Sequence, residues 1–270
     1  HLKKFVVFGN PIAHSKSPLI HRLFAEQFGL QIDYQAQLSV ESDFEADVRT
    51  LQQSGFSGCN VTMPFKLQAF QLADELSERA KIAGAVNTLS LYPDKIVADN
   101  TDGQGLVGDL ALTISLKGRH ILLLGAGGAA KGCIYPLFQA GVSKISIWNR
   151  SHEKAQQLAK QLHSLGDITA VTAEQLFGLQ PEIIVNSTAS SVSGVIPDIC
   201  SEVFSAAELA YDMFYQDELT SFLNFAQANN DHITLKDGLG MLVGQAAESF
   251  RIWHGVQPDI NKVTRYLRQP

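Results

Sequence analysis

Residues 119–132 read RHILLLGAGGAAKG, and they decide how the second half of the chain folds. His120 to Leu124 is an apolar run of strand length. It runs directly into Gly125-Ala126-Gly127-Gly128-Ala129, and an Ala-rich, helix-prone segment follows to about Ala140. A buried strand, a glycine turn and a helix start are the parts of a dinucleotide-binding unit. Glycines lack a Cβ, so the backbone can turn sharply and a pyrophosphate can approach the main chain. The helix start then offers unsatisfied N–H groups and a partial positive charge to that anion. The third place of the G-x-G-x-x-G spacing, position 130, is Ala, which the pattern permits. A Walker loop fits poorly, because Lys131 is followed by Gly132 rather than Ser or Thr. A glycine turn in an ordinary βα unit is the plain alternative.

The next strand refines the ligand. Lys144 to Trp148 (KISIW) is a second apolar run, followed by Asn149-Arg150-Ser151. An NAD site places an acid about 20 residues after the glycines, where it accepts from the ribose 2′-hydroxyl. Here that place holds Asn149 and Arg150, with Lys154 one helical turn further on. A guanidinium fork suits a phosphate, so the residues predict NADP rather than NAD. Cations at a helix N-terminus are otherwise unfavourable, and a bound anion resolves that conflict.

Outward from this stretch the βα alternation continues. Strands are expected near 120–124, 144–148, 168–171, 182–186, 208–212 and 232–235, with helices between them. That is the pattern of a parallel sheet covered on both faces. Leu239 to Trp253 reads as a long helix. Before residue 102 the order differs. Lys3 to Phe8 is a strand ending in Gly9-Asn10-Pro11, and Leu19 to Phe28 has helical spacing. Asp33 to Val40 alternates like a strand. Asp43 to Ser54 is helical, with Phe44, Val48 and Leu51 on one face. Gly58 to Thr62 is a short strand and Lys66 to Leu76 a helix. Ala85 to Tyr92 and Lys95 to Ala98 form a hairpin, and Asp102 to Leu112 a helix. The expected fold class is α/β, with two α/β domains. Residues 1–102 make one and 103–238 a doubly wound dinucleotide domain, with the helices of 239–270 returning to the first. A cleft is expected between them.

Composition sets outer bounds. The 270 residues are 45% hydrophobic and 18% charged, with a formal net charge of −6. That balance argues against nucleic-acid or membrane-surface binding. No apolar run approaches the roughly 20 residues needed to cross a bilayer, and no basic segment precedes an apolar one as in a secretory signal. The chain starts at His1, as a processed start would. Cys59, Cys133 and Cys200 are odd in number and widely spaced. They read as free thiols of a cytoplasmic protein, not a disulfide frame or a metal site.

Polar residues gather where the strands of the first half end, and ligands of α/β sheets bind beyond such ends. The first strand leads to Ser15 and Ser17. The third gives Asn60, Thr62 and Lys66. The hairpin gives Asn87, Thr88, Asn100, Thr101 and Asp102. Hydroxyls and carboxamides suit a small hydroxylated or carboxylated ligand. Lys66 and Asp102 are the titratable pair that could move a proton while a hydride leaves carbon. Each has a plain reading too. Ser17 before Pro18 could cap a helix, Asp102 could cap the next one, and Lys66 could be a solvated helix start. Asn87 and Asn100 could be turn residues.

The segments GNPIAHSKSP, NVTMPFK, AGAVNT, DNTDG, GAGGAAKG, NRS and DGLGMLVGQA occur in the order found in shikimate dehydrogenases. The chain resembles the bacterial, NADP-dependent members of that family over nearly its whole length. The resemblance implies a substrate domain followed by a Rossmann-like NADP domain. It also implies reversible NADPH-dependent reduction of 3-dehydroshikimate to shikimate, in aromatic amino-acid biosynthesis, by a monomer or homodimer. Lys66 would be the acid/base and Asp102 its orienting partner. Ser15 and Ser17 would bind the substrate carboxylate. Thr62, Asn87 and Gln245 would hold ring hydroxyls, with Asn60 and Tyr215 also at the substrate. Gly125, Ala126, Gly127, Gly128 and Ala129 would hold the pyrophosphate. Asn149, Arg150, Ser151 and Lys154 would hold the 2′-phosphate. Thr188, Met213, Gly238 and Met241 would line the nicotinamide side.

Three places depart from the family pattern. Residues 189–194 extend the stretch after Asn186-Ser187-Thr188. Arg22 stands where Asn is usual, and Gln216-Asp217 replaces Asn-Pro after Tyr215. Two other readings remain: a sibling enzyme that also oxidises quinate, with relaxed substrate or cofactor use, and a non-catalytic NADP-binding regulator. Arg150, Lys154 and the paired serines weigh against the first. An intact Lys66 and Asp102 weigh against the second.

Overall fold

A computed structural model describes residues 2–270. The chain divides into two compact units, one running through Gly105 and resuming at Leu242–Pro270, the other Leu106–Met241.

The first unit holds β1 (Lys3–Gly9), α1 (Ser17–Gln27), β2 (Ile32–Leu38), α2 (Phe44–Gln53), β3 (Gly58–Val61), α3 (Lys66–Leu72), β4 (Glu75–Leu76), α4 (Glu78–Ala83), β5 (Thr88–Leu91) and β6 (Ile96–Asp99). Helix α5 (Asp102–Ala111) crosses the division. The sheet runs β2-β1-β3-β5-β6-β4. β1 is parallel to β2 and β3, whereas β5 is antiparallel to β3 and β6. Phe44, Val48 and Leu51, the predicted face of α2, join Val6, Phe8, Val61 and Phe65 in one buried cluster. Each such side chain contributes about 1.5–3 kcal/mol when fully buried.

Sequence periodicity misplaced two boundaries here. The helix expected over 66–76 stops at Leu72, because Ala73 turns extended and Asp74 pairs with Ile96 through both main chain and carboxylate. Glu75–Leu76 then adds to the sheet beside β6. A new helix, α4, starts behind Ser77, whose hydroxyl accepts from Ala80 N–H. Helix α1 begins at Ser17 rather than Leu19, with Lys16 at its cap position. Ser17 is therefore not the cap; its N–H donates to Ser15 Oγ at 3.2 Å.

The second unit contains β7 (His120–Leu124), α6 (Gly128–Gln139), β8 (Lys144–Trp148), α7 (His152–Gln161), β9 (Asp167–Ala170), β10 (Ile183–Asn186), β11 (Leu209–Asp212), α8 (Ser221–Asn229) and β12 (Thr234–Lys236). Its strands lie in the order β12-β11-β10-β7-β8-β9, all parallel. The order reverses between β7 and β10, which is the switch point where open α/β sheets bind ligands. Every residue of Ile121–Leu124 is fully buried, as a central parallel strand requires. Helix α9 (Leu239–His254) starts in this unit and continues into the first, where α10 (Ile260–Arg268) follows. Val243, Ala246, Ala247 and Phe250 of α9 pack with Ile20 and Phe24 of α1.

Cys59 and Cys133 are buried and Cys200 is half-buried; none is in a disulfide. Among the described residues no helix is long and apolar enough to cross a membrane.

Candidate active site

In the first unit, parallel pairing of β1 and β3 places their carboxyl ends side by side, Phe8 beside Val61. Ser15 and Ser17 follow β1, and Thr62 follows β3, its N–H donating to Phe8 O at 2.9 Å. Lys66 opens α3. Its backbone is set by Phe65, which is fully buried and stacks on Phe44 with ring centres 4.7 Å apart. Val86 N–H donates to Lys66 O at 3.1 Å, which ties the lysine to the segment carrying Asn87.

Lys66 Nζ donates to Asp102 Oδ2 at 2.6 Å. The two side chains are 33% and 24% exposed, so the pair is reachable from solvent on one side. Asp102 does not cap its own helix: Asn100 Oδ1 accepts the Asp102 N–H at 3.0 Å, leaving the Asp102 carboxylate for other work. Asn87 Nδ2 donates to Asp102 Oδ1 at 3.0 Å and lies 3.2 Å from Gln245 Oε1. Lys66, Asn87, Asp102 and Gln245 therefore form one contiguous group. A charged donor, a carboxylate and two carboxamides can hold a hydroxylated ring and exchange one proton with it.

Asn60 stands apart from the expectation that it contacts substrate. It is 6% exposed, its Oδ1 accepts from Tyr34 OH at 2.7 Å, and its Nδ2 donates to Asn87 O and Ser249 Oγ, each at 3.1 Å. Its polar ends face inward. Tyr34 and Ser249 were not anticipated. Ser249 lies one helical turn after Gln245, on the same face of α9, a spacing that was available in the sequence. Tyr215 belongs to the second unit, where it is half-buried and burial raises its phenol above the ordinary range.

In the second unit β7 delivers Gly125 at φ +111°, a conformation that an L side chain rarely adopts. A Cβ there would also lie 2.4 Å from Ser187 Oγ. By contrast, open space surrounds the missing Cβ positions of Gly127 and Gly128. Helix α6 starts at Gly128 with no side-chain cap. This bare, open helix start fits a pyrophosphate. Asn149 Nδ2 donates to Ser151 O at 3.0 Å, fixing the turn between β8 and α7. Arg150 and Lys154 are exposed there, and neither forms an ion pair among the described residues. Two cations with no carboxylate partner suit a 2′-phosphate.

The long stretch after β10 is ordered as one 3-10 turn, Ser190–Ser193. Its anchor is Asp212, fully buried at the end of β11. Asp212 accepts from Ser191 Oγ at 2.6 Å and from Phe214 N–H at 3.1 Å. Burial raises its carboxyl above the usual range, against these hydrogen bonds. Asp212 thus joins the segment bearing Thr188 to the one bearing Met213. Gly238 lies against the same segment: a Cβ would fall 1.8 Å from Met213 O.

A doubly wound parallel sheet with an open glycine turn, in a chain whose other unit carries a lysine–carboxylate pair among carboxamides, defines a dinucleotide-dependent oxidoreductase. Comparison with known proteins narrows the class. Residues 7–89 match the shikimate dehydrogenase substrate binding domain, 109–208 the shikimate / quinate 5-dehydrogenase family, and 238–268 the shikimate 5′-dehydrogenase C-terminal domain. The shikimate dehydrogenase (NADP(+)) of Shewanella woodyi is 49% identical over 98% of this chain and 97% of its own. That of Pseudoalteromonas atlantica is 48% identical over 99% of each. The crystal structure of an Ael1 enzyme from Pseudomonas putida superposes with a TM-score of 0.95 at 43% identity, covering 99% of both chains. The Thermus thermophilus shikimate 5-dehydrogenase in complex with NADP(H) and shikimate gives 0.88 at 32%, again over 99% of both. The chain belongs to the shikimate dehydrogenase family.

Proposed function

We propose that this protein reduces 3-dehydroshikimate to shikimate with NADPH, reversibly, with Lys66 as acid/base and Asp102 as its orienting partner. The observation that carries the assignment of roles is the 2.6 Å contact of Lys66 Nζ with Asp102 Oδ2, set beside Asn87 and Gln245. NADPH, when bound, supplies the hydride for the carbonyl carbon. The Lys66 ammonium gives a proton to the carbonyl oxygen as it becomes a hydroxyl; in the reverse direction the Lys66 amine takes that proton back. Asp102 Oδ2 holds the amine in place, and Asn87 holds Asp102. Ser15 and Ser17 are the hydroxyls for the substrate carboxylate, with Thr62, Asn87 and Gln245 for its ring hydroxyls and Tyr215 also at the substrate.

On the cofactor side, Gly125 to Ala129 take the pyrophosphate. Asn149, Arg150, Ser151 and Lys154 take the 2′-phosphate, and Thr188, Met213, Gly238 and Met241 the nicotinamide end. Cys59, Cys133 and Cys200, none of them in a disulfide, support a reducing, cytoplasmic location. The test is an absorbance assay at the reduced-nicotinamide band, with shikimate or quinate as substrate and NADP or NAD as cofactor. Turnover of shikimate with NADP is the expected result; efficient NAD-linked quinate oxidation instead would reject the assignment.

A further inference from the structure

Behind the lysine–aspartate pair lies a set of buried polar groups whose donor and acceptor roles can be worked out one by one. Thr101 N–H can only donate, and it points at Asn87 Oδ1 at 2.9 Å. That fixes which end of the Asn87 carboxamide is oxygen, so Nδ2 is the end facing Asp102 Oδ1 at 3.0 Å. Thr88 Oγ1 lies 2.9 Å from the same Asn87 oxygen, which only accepts, so the Thr88 proton is directed there. Ser249 Oγ, 2.7 Å from Thr88 Oγ1, must then be the donor of that contact. Asn60 Nδ2 donates to Ser249 Oγ at 3.1 Å, while Asn60 Oδ1 accepts from Tyr34 OH at 2.7 Å. Burial holds the Tyr34 phenol well above its ordinary range, which keeps it a donor. Thr101 Oγ1 donates to Gln245 O at 2.9 Å and so does not compete for these acceptors; it accepts one Asn87 Nδ2 proton at 2.8 Å, which leaves the other for Asp102.

We infer that Thr88 and Ser249 are positioning residues. With Tyr34, Asn60 and Asn87 they form a hydrogen-bond chain of one direction that ends on the Asp102 carboxylate, whose other oxygen holds Lys66. Chains of this kind polarise each successive donor. Thr88 is 1% exposed and Ser249 fully buried, so bulk water cannot replace a deleted hydroxyl. The inference rests on the proposed reaction for its kinetic consequence but not for its geometry.

The test uses Thr88→Val, which removes the hydroxyl at nearly constant volume, with Ser249→Ala and the conservative Thr88→Ser. Thr88→Val is expected to lower kcat for shikimate oxidation roughly 5- to 30-fold per folded molecule, with the KM for NADP within about twofold. The primary isotope effect from shikimate deuterated at the reacting carbon should rise. Ser249→Ala should do the same more weakly, and Thr88→Ser should restore the wild-type rate. A readout free of substrate is the Asn87 carboxamide resonance in ¹⁵N-labelled protein. The proton bonded to Asp102 should move upfield in Thr88→Val and Ser249→Ala. The inference is overturned by an unmoved resonance in both variants, by a loss in proportion to unfolded protein, or by a loss that Ser does not rescue. If Thr88→Val does not fold, Ser249→Ala decides on both readouts. A shifted resonance in a protein whose wild type leaves shikimate untouched would reject the reaction and keep the chain.

Discussion

Lys66 Nζ and Asp102 Oδ2 are 2.6 Å apart although 36 residues separate them in sequence. The pair is close enough for a charge-assisted hydrogen bond and sits where one face remains exposed. Lys66→Ala should lower kcat by about 10²- to 10⁴-fold with a smaller change in KM. Steady-state kinetics in both directions checks this, and an unchanged kcat would remove Lys66 from the chemistry.

Arg150 offers its guanidinium with no carboxylate partner among the described residues. Arg150→Ala should raise the KM for NADP by roughly 10- to 100-fold, the scale of charge-assisted hydrogen bonds to a phosphate. The KM for NAD should change little. Equal effects on the two cofactors would defeat the 2′-phosphate role.

His21 predicts a pH dependence of stability. It is fully buried, stacked on Tyr34 at 4.5 Å, and its two ring nitrogens find no hydrogen-bond partner among the described residues. Burial chiefly, then the charge of His254, lowers it from 6.5 to about 3, with the nearby Asn60 carboxamide opposing. The unfolded chain therefore binds a proton that the native state refuses, and stability falls as pH drops below about 6.5. His21 alone should cost on the order of 2 kcal/mol at pH 5. Denaturant unfolding of wild type and His21→Phe between pH 7 and 5 measures it. A slope that the substitution leaves unchanged would exclude His21 as the source.

Gly238 cannot tolerate a side chain, because its Cβ would sit 1.8 Å from the main-chain oxygen of Met213. Main chain must move, so Gly238→Ala should destabilise by about 1–3 kcal/mol and raise the KM for NADP. Thermal unfolding with cofactor titration checks both. A wild-type melting midpoint would show that the segment yields freely.

The glycine turn, the βα alternation from residue 120 and the cations after β8 were legible because each is a property of neighbouring residues. Helix-like spacing over 66–76 misled for the opposite reason. Asp74 forms its bonds with Ile96, a partner that no local window contains. Asp102 looked equally like a helix cap, but it is the first residue of α5 itself, and its carboxylate is taken by Lys66 and Asn87, partners distant in sequence.

By itself the sequence determined the α/β class, the dinucleotide turn and the resemblance to one family, because Cβ-free turns and hydrophobic period act within a few residues. Tertiary structure alone decided which polar groups meet and which way each points. It turned Asn60 inward and brought Ser249 to it across 189 residues. It also gave Asp102 one oxygen for Lys66 and one for Asn87. Those choices follow from strand order and from buried donors that must each find an acceptor, and neither is written in any single stretch of chain.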